Sequence, residues 1–212
     1  MVRQLVAPVL FVILTVAGCR QPDYFPMSDD SDWQLVFRTV DIAGAETVEV
    51  KRVPGRLRVV AAVEDTALGS YRVAELSRDS VRLFTLYFQS RPGGMYMLVP
   101  WIAGDFYAAR NDWILLLARK LRPGKAWYGN AYHEQLFEVV AREAVTVPAG
   151  RIPGCYRIAV RTEEDAWPGS LWFAPGIGPV KWEYRSTRSR DGVRWERVET
   201  AELVSHAGAP GH

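Results

Sequence analysis

The chain has 212 residues, of which 49% are hydrophobic and 12% aromatic, and its 26 Lys and Arg nearly balance 24 Asp and Glu. That balance excludes an electrostatic case for nucleic acid, and the length suits one domain with an ample core. Only two cysteines are present, Cys19 and Cys155, so a disulfide framework is excluded as well.

In chain order, Met1 to Gln4 carries one charge, Arg3, and Leu5 to Val16 is an apolar run broken by Pro8 and Thr15. The pattern predicts a signal peptide over residues 1–18, too short and too weakly flanked to span a membrane. Its ending, Val16-Ala17-Gly18-Cys19, resembles the bacterial lipobox. The resemblance implies that the Cys19 thiol receives a diacylglyceryl group, that the bond before it is cut, and that the new amino group takes a further acyl chain such as palmitate. Cys155 then has no disulfide partner within the chain. Residues 19–31 are expected to be a polar tether, and Arg20 stands where lipoproteins kept at the inner membrane of diderm bacteria commonly have Asp. The expected location is therefore the cell envelope, lipid-anchored at the outer membrane.

From Trp33 onward, short apolar or alternating runs alternate with turn residues, and hardly any window holds a helical period. The expected strands are Trp33 to Val40, Thr47 to Lys51, Arg56 to Val63, Tyr71 to Leu76, Val81 to Phe88 and Tyr96 to Val99. In the second half they are Gln135 to Val147, Tyr156 to Arg161, Ser170 to Ala174, Val180 to Ser186 and Val193 to Val204. Arg78-Asp79-Ser80 and Arg190-Asp191-Gly192 read as hairpin turns, and Val53-Pro54-Gly55 and Ile152-Pro153-Gly154 as tighter breaks. Asp112 to Arg119 fits a buried helix or a buried strand equally well. The fold class is mainly β, with little helix: one antiparallel curved sheet or flattened barrel over residues 32–204, followed by a flexible tail, 205–212.

The two halves share landmarks in order. Met27-x5-Trp33 matches Leu121-x5-Trp127, Val53-Pro-Gly matches Ile152-Pro-Gly, Gly69-Ser70 matches Gly169-Ser170, and Val81 matches Val180. Either two similar meanders pair into one sheet, or Pro-Gly and Gly-Ser recur as common turn punctuation.

Three stretches, Tyr24-Phe25-Pro26-Met27 with Trp33, Val145 to Gly150, and Phe173-Ala-Pro-Gly-Ile-Gly-Pro-Val-Lys181, resemble a class of uncharacterised secreted bacterial proteins and lipoproteins. That class opens with Tyr-Phe-Pro-Leu and Trp and closes with Ala-Pro-Gly-Val-Gly-x-Val-Lys. The chain departs from it at Asp29-Asp30, where Gly is usual, and at Pro179, where an aliphatic is usual. The resemblance implies secretion and a β fold and brings no site with it.

Catalysis needs clustered acid, base and nucleophile, which the sequence does not group. His206 and His212 fall in the expected tail, leaving His133 beside Glu134 as the ordered histidine, in a polar turn that suits a solvated residue better than a general base. Metal-ligand spacings are missing, and Glu163-Glu164-Asp165 lacks the spaced, Gly-containing pattern of a calcium loop. Ala174 to Pro179 is Gly-rich without the helix and the Gly-Lys-Ser/Thr ending of a phosphate cradle, so Gly176 and Gly178 are expected to kink the chain between two strands. Cys155 reads as a small buried hydrophobe. No catalytic residue, cofactor or metal is expected.

Eight tryptophans remain. Trp101, Trp113, Trp127, Trp172 and Trp182 are the residues that would line an apolar cavity, while alternation from Trp172 to Trp182 favours an inward-packed core. The expected role is a non-enzymatic structural or interaction module of the envelope, held to the membrane through Cys19 and contacting an envelope protein. The alternative is a carrier for an apolar ligand such as a lipid.

Overall fold

The computed structural model describes residues 24–44, 46–66, 69–98, 113–129, 135–162, 169–190 and 193–207. The alternating runs become strands β1 (Asp32–Ala43), β2 (Glu46–Asp65), β3 (Gly69–Arg78), β4 (Val81–Arg91), β5 (Gly94–Leu98) and β6 (Ile114–Ala118). They continue as β7 (Ala126–Tyr128), β8 (Gln135–Val147), β9 (Gly150–Thr162), β10 (Gly169–Ala174), β11 (Gly178–Arg190) and β12 (Val193–Ala207). No helix occurs among the described residues. The stretch that fits helix or strand equally well is β6.

Strands that follow one another in sequence pair antiparallel, except β6 and β7, and β1 also pairs with β12, Asp32 facing Ala207 and Ala43 facing Trp195. The sheet therefore curls round on itself, and its two ends, β6 and β7, meet at a seam. There the Leu115 amide donates to the Gly129 carbonyl (2.7 Å) and the Trp127 indole donates to the Leu115 carbonyl (2.9 Å). The result is a nearly closed, barrel-shaped 12-stranded antiparallel sheet.

On β1 the period of two puts Trp33, Leu35 and Phe37 inside, with Gln34, Val36 and Arg38 between them. At the β3–β4 hairpin Asp79 (φ 50°) and Ser80 (φ 62°) both adopt the left-handed conformation, the geometry whose twist matches the flanking strands. Arg190 pairs with Val193 across the second expected hairpin turn, whose residues 191 and 192 lie outside the described ones.

The two Pro-Gly pairs are not breaks. Both lie inside long strands, and each is tolerated for its own reason. Pro54 sits where β3 has just ended opposite Gly55, and its carbonyl accepts the Asp79 amide (2.8 Å). Its nitrogen, which has no hydrogen to give, points the same way, toward the β3–β4 turn and away from the β1 ladder. Pro153 and Gly154 (φ 70°) form a bulge: Glu143 faces Cys155 and Val145 faces Ile152, so two residues oppose Ala144 alone. The Pro-Gly, Gly-Ser and Val landmarks fall on β2 and β9, β3 and β10, and β4 and β11. Trp33 and Trp127 do not correspond, because Trp127 lies on β7, two strands before β9 rather than one.

Two further expectations are corrected. The tail does not begin at 205: β12 runs to Ala207, and the His206 ring stacks on Trp33 with centroids 5.0 Å apart. The tether does not extend to 31 either. Residues 24–31 fold into the end of the barrel, where Phe25 is 2% exposed and meets Phe88, Trp33 and Phe173 edge-on at 5.0, 5.2 and 5.9 Å. Ser31 locks this segment: its hydroxyl donates to the Pro26 carbonyl and accepts the Ser28 amide (both 2.9 Å), and its carbonyl accepts the Val59 amide (2.9 Å). The β10–β11 turn closes over the same end. The Ile177 carbonyl accepts the Trp33 indole (2.6 Å), and a side chain at Gly178 would stand 2.9 Å from the Phe25 ring.

Candidate functional site

An apolar cavity of about 330 Å³ lies inside the barrel, between β1–β6 on one wall and β10–β12 on the other. Phe25 and Phe88 form its floor; Leu57, Leu76, Leu171, Phe173 and Trp182 line its walls. Phe37 packs edge-on against Trp182 (5.9 Å) and reaches over Gly55, where a Cβ would come within 2.1 Å of the Phe37 ring. Glycine at 55 is thus what lets that ring lie flat on the β2 wall.

The cavity's mouth lies at the end away from Phe25, at the β3–β4 turn, and it is polar. Arg78 donates to the Thr39 hydroxyl (3.0 Å), lies 3.8 Å from the Glu199 carboxylate, and sits over the Phe37 ring at 5.5 Å. Tyr184 faces Glu199 across the β11–β12 ladder and lines the cavity. Burial pushes its phenol above the ordinary value, and its hydroxyl has no hydrogen-bond partner among the described residues. Beyond the mouth, β1 and β12 run on as a ribbon in which Arg197 grips Asp41 with two bonds of 2.7 Å.

A second, larger cavity of about 650 Å³ lies on the other side of Phe25 and Phe88, lined by Tyr24, Met27, Arg72, Arg91, Met95 and Arg119 among others. The two aromatic rings are the partition between the cavities. Two of its cations are engaged: Arg72 pairs with Asp29 (3.1 Å), while Arg91 donates to Gln89 (2.6 Å) and lies between the rings of Tyr96 and Trp113 (4.8 and 5.0 Å).

Of the five tryptophans singled out from the sequence, Trp182 lines the apolar cavity and Trp101 lies outside the described residues. Trp113 packs on Arg91, and Trp127 stacks on Phe137 (5.6 Å) at the seam. Trp172 sits between Leu171 and Phe173 in sequence and is therefore turned the other way, held between Arg157 and Lys181 with its indole donating to Glu143 (2.8 Å). Sequence reasoning missed Phe25, Phe37, Arg78 and Tyr184. The Trp-x-Tyr step on β11 and the Trp-x-Leu-x-Phe alternation on β1 carry the signal for the inward residues.

Among other reactive groups, the Cys155 thiol is 0% exposed, donates to the Ile152 carbonyl (3.4 Å), and is pushed up by burial, so it is a poor nucleophile. Burial also lowers His206 below its ordinary value, against a weaker opposing pull from Asp32. His133, Glu134, His212, Cys19 and Glu163 to Asp165 lie outside the described residues. Among the described residues no three His, Cys, Asp or Glu gather as a metal site. No protein-family model matches the chain, and no curated protein or solved structure matches it either.

Proposed function

We propose that this chain is a non-enzymatic carrier of an apolar ligand, anchored in the cell envelope through lipidated Cys19 at the outer membrane. The observation that carries the reading is the 330 Å³ cavity inside the barrel, apolar on floor and walls and polar only at the mouth. Ligand sites have that character: greasy walls supply affinity, and a few converging polar groups orient the guest. Its volume stands near the lower end of ligand pockets, about 300–1,000 Å³, which suits one extended acyl chain or a compact apolar molecule rather than a whole diacyl lipid. Arg78 and the Tyr184 hydroxyl are placed to meet a polar head at the mouth. The anchor follows from the lipobox, because two or more acyl chains hold a protein stably where one holds it marginally.

Native mass spectrometry of residues 20–212, without Cys19 and exported to the periplasm, followed by solvent extraction, tests the carrier. The expected result is a stoichiometric apolar adduct that disappears in Leu76→Trp, which fills the cavity. A clean apo mass in the parent chain, from a preparation that also fails to take up added fatty acid, refutes it. The alternative, a structural module that contacts an envelope protein, is favoured by Val48 and Val50, which are 56% and 49% exposed on the β2 end of the projecting ribbon.

A further inference from the structure

The turn joining β6 to β7 is the most strongly basic stretch among the described residues. Arg119, Lys120, Arg122 and Lys125 stand within seven residues, the first three of them exposed. Buried Leu121 pins the turn to the barrel, and the Lys125 ammonium is tied to the Arg119 carbonyl, so the charges are displayed on a fixed loop. They are also crowded together. Lys125 is lowered by burial first and then by the charges of Arg122 and Lys120.

This turn lies where the chain would meet a membrane. Tyr24, the first described residue, is hydrogen-bonded to the Leu121 backbone, and Tyr24 and Arg119 line the same cavity. Cys19 precedes Tyr24 by five residues, a link that spans at most about 17 Å when fully extended. An acylated Cys19 therefore holds the turn within reach of the lipid headgroups. The acidic groups at this end are partnered or set apart: Glu138, which faces Ala126, pairs with Arg161, Glu143 accepts the Trp172 indole, Asp32 is held by Arg56 and Asp29 by Arg72. Glu64 and Asp65 lie by the β2–β3 turn with the β4–β5 hairpin intervening, and Asp30 lies on the N-terminal segment.

We propose that turn 119–125 is a contact surface for the anionic headgroups of the bilayer in which Cys19 is anchored, and that it fixes the barrel's orientation with the apolar cavity's mouth facing away from that bilayer. The inference rests on the reading of Cys19 as lipidated. Its electrostatic half can be measured without the lipid.

The experiment uses the mature chain, residues 19–212, with Cys19→Ser, which keeps every contact described above. Binding is measured by co-sedimentation with vesicles of phosphatidylcholine alone and of phosphatidylcholine mixed with phosphatidylglycerol. Binding is expected to the mixed vesicles only, and to be lost in high salt. At about fivefold per juxtamembrane cation, Lys120→Gln with Arg122→Gln should weaken it about 25-fold. Lys51→Gln with Arg52→Gln removes equal charge from exposed positions on β2 and should leave it unchanged. Absent binding, equal binding to both vesicle types, or an equal loss in both double variants overturns the proposal. Radioactive palmitate labelling of the wild type tests the anchor by itself, so failure of the lipidation reading shows there and not in the vesicle assay.

Discussion

Phe25→Ala should be among the most damaging single substitutions in the chain, although residue 25 precedes the first strand. Its ring is 2% exposed, touches three other aromatic rings from both walls of the barrel, and divides two existing cavities. Truncating a buried Phe costs about 3–5 kcal/mol, the larger values applying where neighbours cannot collapse into the space. Here collapse is blocked, because Trp33 is fixed by its bond to Ile177 and by stacking on His206, and Phe88 and Phe173 belong to hydrogen-bonded strands. The void joins the two cavities instead of closing. With a urea m-value of about 2.5 kcal/mol/M for a domain of this size, a loss of about 4 kcal/mol lowers the unfolding midpoint by about 1.5 M. Tryptophan fluorescence in a urea titration reads this directly. Phe25→Leu, which keeps most of the volume, should recover more than half of the loss. A midpoint shift below about 0.3 M for Phe25→Ala would show that residues 24–31 are an appendage and refute the plug.

Two other substitutions probe separate parts of the fold. His206 titrates below its ordinary value when folded, so the unfolded chain takes up a proton first as pH falls; stability should be level above about pH 6.5 and decline below it, and His206→Phe should flatten that decline in melts between pH 7 and 5. Gly55→Ala should cost about 1–3 kcal/mol by displacing the Phe37 ring into the cavity, and a bound apolar dye should leave with it; an unchanged melting temperature would mean that Phe37 does not lie on Gly55.

Much of the strand pattern is legible in the sequence because a half-buried strand writes its period of two in side-chain polarity, as β1 and β8 do. Pro-Gly misled for a physical reason. Whether a proline ends a strand depends on whether a neighbour needs its amide, and at Pro54 the neighbour stops one residue away. Ile114 to Ala118 is ambiguous because apolar residues in an unbroken row carry no period. The site was harder to read than the fold. Alternation says that Leu171 and Trp172 face opposite ways, but not which way is in, and a bulge after Trp172 resets the phase between β10 and β11. Phe25 and His206 sit in stretches rich in Pro, Ser or Gly, and they are ordered by Trp33, which is distant from His206 in sequence and adjacent to both in space.

The central place of β1 also has a mechanical side. Most barrels opened at a seam would leave their first strand at the edge, where a pull on the N-terminus peels it away one bond at a time. Here the edges are β6 and β7, and all twelve residues of β1 are laddered to β2 on one side and β12 on the other. Tension entering through residues 24–31 runs along β1 and loads both ladders in shear, with Phe25 wedged behind as a stop. The bonds must yield together rather than in turn, so the proposed anchor would pull on the strand best built to bear load.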